Sequence, residues 1–182
     1  MGRRKPEVVH AKLVSHLSPD FASFVAPAVD DVFIALGTTI KVAGSQQAFR
    51  AIDLEAVLAV ATSARAAGAR RIGIVSAMGA DAQSTVFYNR VKSEMEAAVS
   101  QLGYATTVFA RPSLLAGDRE SLQQASRAGE QIGLLAMRLF KPLVPRNYRA
   151  IAAADVAAAL IASVQAGRPG VQVLLSGAMQ PS

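Results

Sequence analysis

The chain contains no cysteine and no tryptophan, and its only histidines are His10 and His16. Without thiolates there is neither a disulfide framework nor a cysteine zinc site, and two histidines are too few for a metal cluster. No metal is therefore expected. Charged residues are scarce at 18% and aromatics scarcer at 5%, while apolar residues reach 52%. That balance excludes a disordered chain and suits a fold whose central strands are covered on both faces. No uninterrupted apolar run approaches the roughly 18 residues that suggest a membrane span, and the start MGRRKPEVVHAK lacks the apolar middle region of a secretory signal. These absences read as a cytoplasmic protein with no integral membrane segment.

The 182 residues have the length of one domain, 1–182, large enough to bury a core without covalent staples. The net charge of +6 would attract polyanions, but the basic residues are mostly scattered. Local excesses occur only at Arg3, Arg4 and Lys5 and at Arg138, Lys141, Arg146 and Arg149, and neither reads as a base-stacking surface. No nucleic-acid partner is expected.

Strand-like runs alternate with longer helix-like runs, the mark of repeated βα units around a parallel sheet. Four short, β-branched and mostly continuous apolar runs are predicted strands: 31–36, 71–76, 106–110 and 171–175. A weaker alternating run, 8–17, reads as a strand nearer an edge. Between the first two strands, Phe49, Ile52, Val57, Leu58, Val60 and Ala61 recur at helical spacing, predicting a crossover helix over 46–69. A second helix is predicted over 84–102, with Val91, Met95, Ala98, Val99 and Leu102 on one face and Gly103 placed to end it. A third is read over 129–140, stopped by Pro142 and Pro145, and a fourth over 154–166 before Gly167 and Pro169. The stretch 117–128 reads as a loop. No internal repeat, heptad or low-complexity tract is visible.

The second helix contains Tyr88-Asn89-Arg90-Val91-Lys92, and a spacing of four puts the phenol and the ammonium on one helical face. A nearby ammonium favours phenolate, so Lys92 is expected to draw Tyr88 down from its reference pKa near 10 toward a value useful in proton transfer. Tyr88 also lies in the first half of its helix, where the dipole favours negative charge. Twelve residues earlier Ser76 ends a strand, at the edge where open α/β sheets collect ligands, and its hydroxyl could orient a carbonyl. By itself the tyrosine-lysine spacing is a weak signal in a chain with three tyrosines and five lysines.

The surrounding blocks are more specific. Ala35-Leu36-Gly37-Thr38-Thr39, Val42-Ala43-Gly44-Ser45-Gln46, Ser76-Ala77-Met78-Gly79-Ala80-Asp81, Val86 to Lys92, and Arg111-Pro112-Ser113-Leu114-Leu115 resemble, in order and spacing, the atypical short-chain dehydrogenase/reductases of the Tat-interacting-protein-like group. The resemblance covers nearly the whole chain. It implies an α/β, Rossmann-like doubly wound parallel sheet that binds NAD(P), with NADP the usual cofactor and NAD less favoured. It also implies a catalytic set of Ser76, Tyr88 and Lys92 acting on a small-molecule carbonyl or alcohol substrate. Carried over residue by residue, Ala35, Leu36, Gly37, Thr38 and Thr39 resemble the ribose and adenine-side contact, Lys92 the nicotinamide-ribose contact, and Arg111, Pro112 and Ser113 the segment along the nicotinamide. Arg3 and Arg4 resemble the basic pair that meets the 2′-phosphate of NADP.

One family feature is missing from these residues: no G-x-G-x-x-G or G-x-x-G-x-x-G occurs in them, and no apolar strand precedes Arg3. The sheet is therefore expected to lack its first βα unit, leaving strand edges unpaired and apolar surface exposed. The favoured account is that the missing unit is encoded upstream of Met1. Otherwise a homo-oligomer or a partner protein covers the gap, or the 8–17 run moves into it. Two functions follow: an NADP-dependent oxidoreductase with Tyr88 as acid/base, or a non-catalytic dinucleotide-sensing or protein-interaction module.

Overall fold

The computed structural model describes residues 21, 23–116 and 145–181; the expected strand at 8–17, loop at 117–128 and helix at 129–140 lie outside them, as do Arg3 and Arg4. All four other expected strands form: β1 (Asp31–Ile34), β2 (Arg71–Val75), β3 (Thr106–Arg111) and, later in the chain, Gly170–Leu175. Each run is short and rich in β-branched residues, which fits a parallel strand; β2 and β3 are buried, while Val171, Val173 and Leu175 of the last strand stand exposed. A short pair, β4 (Leu115–Ala116) and β5 (Ile151–Ala152), precedes that last strand, which is therefore β6. The main sheet has the order β1-β2-β3-β6 with every pair parallel.

The 46–69 crossover is not one uniform helix. After a short α1 (Ile40–Ala43), capped by Thr39, comes α2 (Gln46–Arg50), capped by the Ser45 hydroxyl, which accepts from the Ala48 amide. The backbone then widens into a π-helical segment over Ala51–Ala56 before continuing as α3 (Val57–Ala66). Short π segments inside α-helices are rare and often mark functional sites. The next helix, α4, spans Phe87–Ser100, and α5 spans Ala153–Gln165. Gly103 and Gly167 follow their ends in left-handed conformation, with φ of 72° and 64°. A final turn, α6 (Ser176–Met179), follows β6.

Strand alternation sorts the side chains into two cores, one on each face of the sheet. On one face Val32, Ile34, Ile72, Ile74 and Phe109 pack with Phe49, Leu54, Val57, Val91, Met95 and Val99 of the crossover and α4. On the other, Val108 and Ala110 meet Val156, Leu160 and Val164 of α5. Fully burying a side chain such as Phe49 or Phe109 contributes on the order of 1.5–3 kcal/mol, so these two layers supply most of the drive to fold. The result is a three-layer α/β sandwich of Rossmann-like form.

β1 is at an edge of this sheet and pairs only with β2 among the described residues. Phe33 stands 44% exposed there, beside an apolar hollow of about 400 Å³ walled by Ile34, Val75, Val156, Leu160 and Ile161. Apolar surface is thus exposed beside a strand edge that is unpaired among the described residues.

Candidate active site at the carboxyl edge of the sheet

Because all four strands run in one direction, their carboxyl ends share one rim, and the segments that follow β1, β2, β3 and β6 meet there. Ser76 follows β2 directly, and its amide donates to the Ala110 carbonyl at 2.7 Å. The Met78 amide donates to the Pro112 carbonyl at 3.2 Å, which ties the two loops together. The Ser76 side chain is buried, and its hydroxyl has no hydrogen-bond partner among the described residues. Buried hydroxyls are normally paired, so an orphan at a ligand-collecting rim fits a group that meets a bound molecule.

α4 begins at Phe87, which puts Tyr88 in its first turn and Lys92 one turn later. The Tyr88 ring is half-buried against Phe49, with centroids 5.4 Å apart, and the Lys92 ammonium lies 5.9 Å from the Tyr88 ring centroid. The expected pair is thus brought together on one helical face. Its electrostatics differ from expectation. Lys92 Nζ lies 2.7 Å from Oδ1 of Asp53, and both side chains are almost wholly buried. The ammonium is neutralised locally, and the Tyr88 phenol is held above its ordinary pKa, first by burial and second by the Asp53 carboxylate. Lys92 alone would lower the value; the nearby carboxylate and the burial reverse that expectation.

Asp53 sits in the π-helical segment, and its second oxygen, Oδ2, accepts from the Thr38 amide at 2.9 Å. The loop after β1 is thereby fastened beside α4. A Cβ placed on Gly37 would lie 3.5 Å from Asp53 Oδ1 and 3.9 Å from Lys92 Nζ, so Gly37 passes directly over the ion pair. Thr39 is occupied locally, its hydroxyl accepting from the Val42 amide, and Ala35 and Leu36 line a hollow of about 360 Å³ along β1.

The side chains of Arg111, which ends β3, and of Ser113 just after it are committed elsewhere. Arg111 donates through Nε and Nη2 to the two carboxylate oxygens of Glu96 on α4, at 3.0 and 2.6 Å. Ser113 donates to the Arg149 carbonyl at 2.5 Å and lies 3.0 Å from the Ser176 hydroxyl. This segment meets the Ser76 loop through its backbone, at the Ala110 and Pro112 carbonyls. Sequence reasoning missed Asp53 and Glu96. Asp53 carried one readable sign, a carboxylate between Ile52 and Leu54 inside an apolar helical stretch; Glu96 carried none.

No family model matches the chain. Among curated proteins, one from Coccidioides immitis called "Protein FMP52, mitochondrial" is 31% identical over 169 residues, which span 89% of this chain and 68% of that protein. The chain belongs to the FMP52 family. The protein of the same name from Emericella nidulans is 36% identical over 135 residues, covering 69% of this chain and 58% of its own length. One from Scheffersomyces stipitis is 34% identical over 127 residues, covering 56% of its length. The chain therefore spans little more than half the length of these last two relatives.

These relatives correct two expectations. They carry the FMP52 name and not that of the Tat-interacting proteins, so the narrower group inferred from the motif blocks gives way to this one. They are also named as mitochondrial, which overturns the cytoplasmic reading. The physical reason is simple: a missing apolar signal region excludes only secretion, while mitochondrial addresses are amphipathic and Arg-rich. No helix among the described residues is long and apolar enough to cross a membrane.

Solved structures place the chain in a fold class. RMD from Pseudomonas aeruginosa, complexed with NADPH, superposes with a TM-score of 0.60 at 17% identity, over 86% of this chain and 63% of its own. MoeE5, in complex with UDP-glucose and NAD, gives 0.62 at 13% identity, over 87% and 61%. At that identity the likeness establishes the Rossmann-like fold.

Proposed function

We propose that the chain forms the catalytic side of an NAD(P)-dependent oxidoreductase of the short-chain dehydrogenase/reductase type, within a single Rossmann-like domain and in a mitochondrial setting. The observation that carries this reading is the buried Lys92 ammonium, fixed beside the Tyr88 ring at a rim where the Ser76 hydroxyl stands unpartnered among the described residues. Burying an ammonium is costly unless it is paired, and such a group at a ligand-collecting edge is a functional candidate. The open strip over Gly37 and the orphan hydroxyl of Ser76 suit a nicotinamide ribose on one side and a substrate oxygen on the other.

When bound, the dinucleotide supplies or accepts the hydride. Ser76 donates a hydrogen bond to the substrate carbonyl oxygen and fixes its direction. Tyr88, kept as a neutral phenol, delivers its proton to that oxygen as the carbon is reduced, and takes a proton back from the alcohol in the reverse direction. Lys92, paired with Asp53, donates to the ribose hydroxyls. NADP over NAD rests on Arg3 and Arg4, whose guanidinium groups suit a 2′-phosphate.

The test uses the purified protein. NADPH and NADH binding are titrated by fluorescence, and hydride turnover is followed through nicotinamide absorbance with a panel of aldehydes and ketones. Turnover is expected to fall at least about a hundredfold in Tyr88→Phe with dinucleotide binding kept. Equal turnover in Tyr88→Phe would sink the assignment, and binding without turnover on any substrate would favour a dinucleotide sensor.

A further inference from the structure

We propose that Asp53 is the positioning residue of this site, its single carboxylate holding the Lys92 ammonium and the Thr38 amide at once, so that the loop after β1 and the catalytic helix are set as one unit. The inference rests on the reading of Tyr88 and Lys92 given above.

The two oxygens of Asp53 divide the contacts between them. Oδ1 faces Lys92 Nζ at 2.7 Å and Oδ2 accepts from the Thr38 amide at 2.9 Å. The side chain is fully buried, so these contacts are shielded from solvent, and its position is dictated by the π-helical segment from Ala51 to Ala56. A wide turn shifts the direction in which successive side chains leave the helix. Asp53 can thus point at the rim while Leu54 and Val57 remain in the core. Among the described residues, the charged groups around Tyr88 are Lys92 on its own helix and Asp53 on the packed crossover, and its ring also packs on Phe49. A carboxylate in this place does more than anchor a lysine. Lys92 could meet a ribose or lower the Tyr88 phenol, and Asp53 biases it toward the first by compensating its charge. Together with burial, which is the larger cause, this keeps Tyr88 in the protonated form that carbonyl reduction uses.

Two substitutions separate the contacts. Asp53→Asn keeps an oxygen to accept from Thr38 but removes the charge that faces Lys92, whereas Asp53→Ala removes both. Tyrosinate absorbance is titrated in each, and the same titration in Tyr88→Phe identifies the Tyr88 contribution. In Asp53→Asn, Tyr88 is expected to ionise at lower pH by at least a tenfold change in its ionisation constant. Tyr88 ionising at the wild-type pH in a folded Asp53→Asn overturns the proposal. In the purified protein, NADPH binding is expected to weaken at least tenfold more in Asp53→Ala than in Asp53→Asn, and equal losses overturn the loop-tying role.

Should Asp53→Asn not fold, the double variant with Lys92→Gln removes both charges together and is expected to fold; its failure makes Asp53 merely structural and overturns the proposal. If the wild type binds no dinucleotide, the functional reading fails, while the tyrosinate titration still decides what Asp53 does.

Discussion

Gly73, in the middle of β2, lies so close beneath α5 that a Cβ placed on it would stand 2.8 Å from Val164 Cγ2 and 3.0 Å from Leu160 Cγ. Two well-packed apolar side chains would have to move to admit one methyl group. Gly73→Ala is therefore expected to cost about 1–3 kcal/mol, as small-to-large changes in packed cores do. Thermal denaturation checks it: the melting temperature should fall, and an unchanged value would show that α5 can lift freely from the sheet.

Gly37 is the contrasting case. Its φ is not left-handed, and a Cβ there would meet Asp53 and Lys92 only at ordinary contact distances. The fold itself does not require glycine at this position. Gly37→Ala should leave stability within about 0.5 kcal/mol of wild type. In the purified protein it should weaken NADPH binding at least about tenfold, equivalent to about 1.4 kcal/mol. Calorimetry paired with a binding titration separates the two quantities, and joint loss of both would point to a structural glycine.

Arg111 matches the segment expected along the nicotinamide, yet its guanidinium clasps the buried carboxylate of Glu96. That contact raises the Arg111 pKa further, chiefly through the hydrogen bond, and keeps β3 fastened to α4. Arg111→Lys cannot reproduce the two-pronged contact and should cost about 1–3 kcal/mol. Dinucleotide affinity should change less than about threefold, equivalent to about 0.7 kcal/mol. A large affinity loss at unchanged stability would restore the cofactor role.

Tyr104 supplies a pH prediction. Its hydroxyl donates to the Ala61 carbonyl at 2.6 Å, and burial pushes its pKa up to about 12, opposed in part by Arg65. An unfolded tyrosine ionises near 10, so the fold favours the neutral phenol. The stability this contributes is complete below about pH 10 and is lost as pH rises toward about 12. Denaturation midpoints measured from neutral pH upward should decline in that window, with a shallower decline in Tyr104→Phe. That variant should also be weaker at neutral pH by about 1 kcal/mol.

Much of the fold could be read from the chain because its signals are local. Continuous runs such as 71–76 become strands through their own composition, and 154–166 becomes α5 (Ala153–Gln165) through its apolar spacing. Tyr88, Lys92 and Ser76 were legible because four residues make one helical turn and because a strand end marks the rim. What escaped depends on distant partners. Nothing near Asp53 announces a lysine 39 positions later in the chain, and the widened turn that aims it leaves no composition signature. The direction of the Tyr88 shift was misjudged for the same reason: the visible neighbour was Lys92, and the neighbour that reverses the effect was not.

The parallel sheet also has a second rim, held by a relay of backbone hydrogen bonds. The Arg70 amide donates to the Asp30 carbonyl, the Ala105 amide to that of Arg70, and the Gly170 amide to that of Ala105. None of the described candidate site residues lies on this side, where the turns before β2, β3 and β6 close the helices. The two ends of the molecule are therefore separate territories for change. Insertions, tags and fluorescent labels at the relay end are expected to leave the candidate site undisturbed, and substitutions at the other rim are the ones expected to reach it.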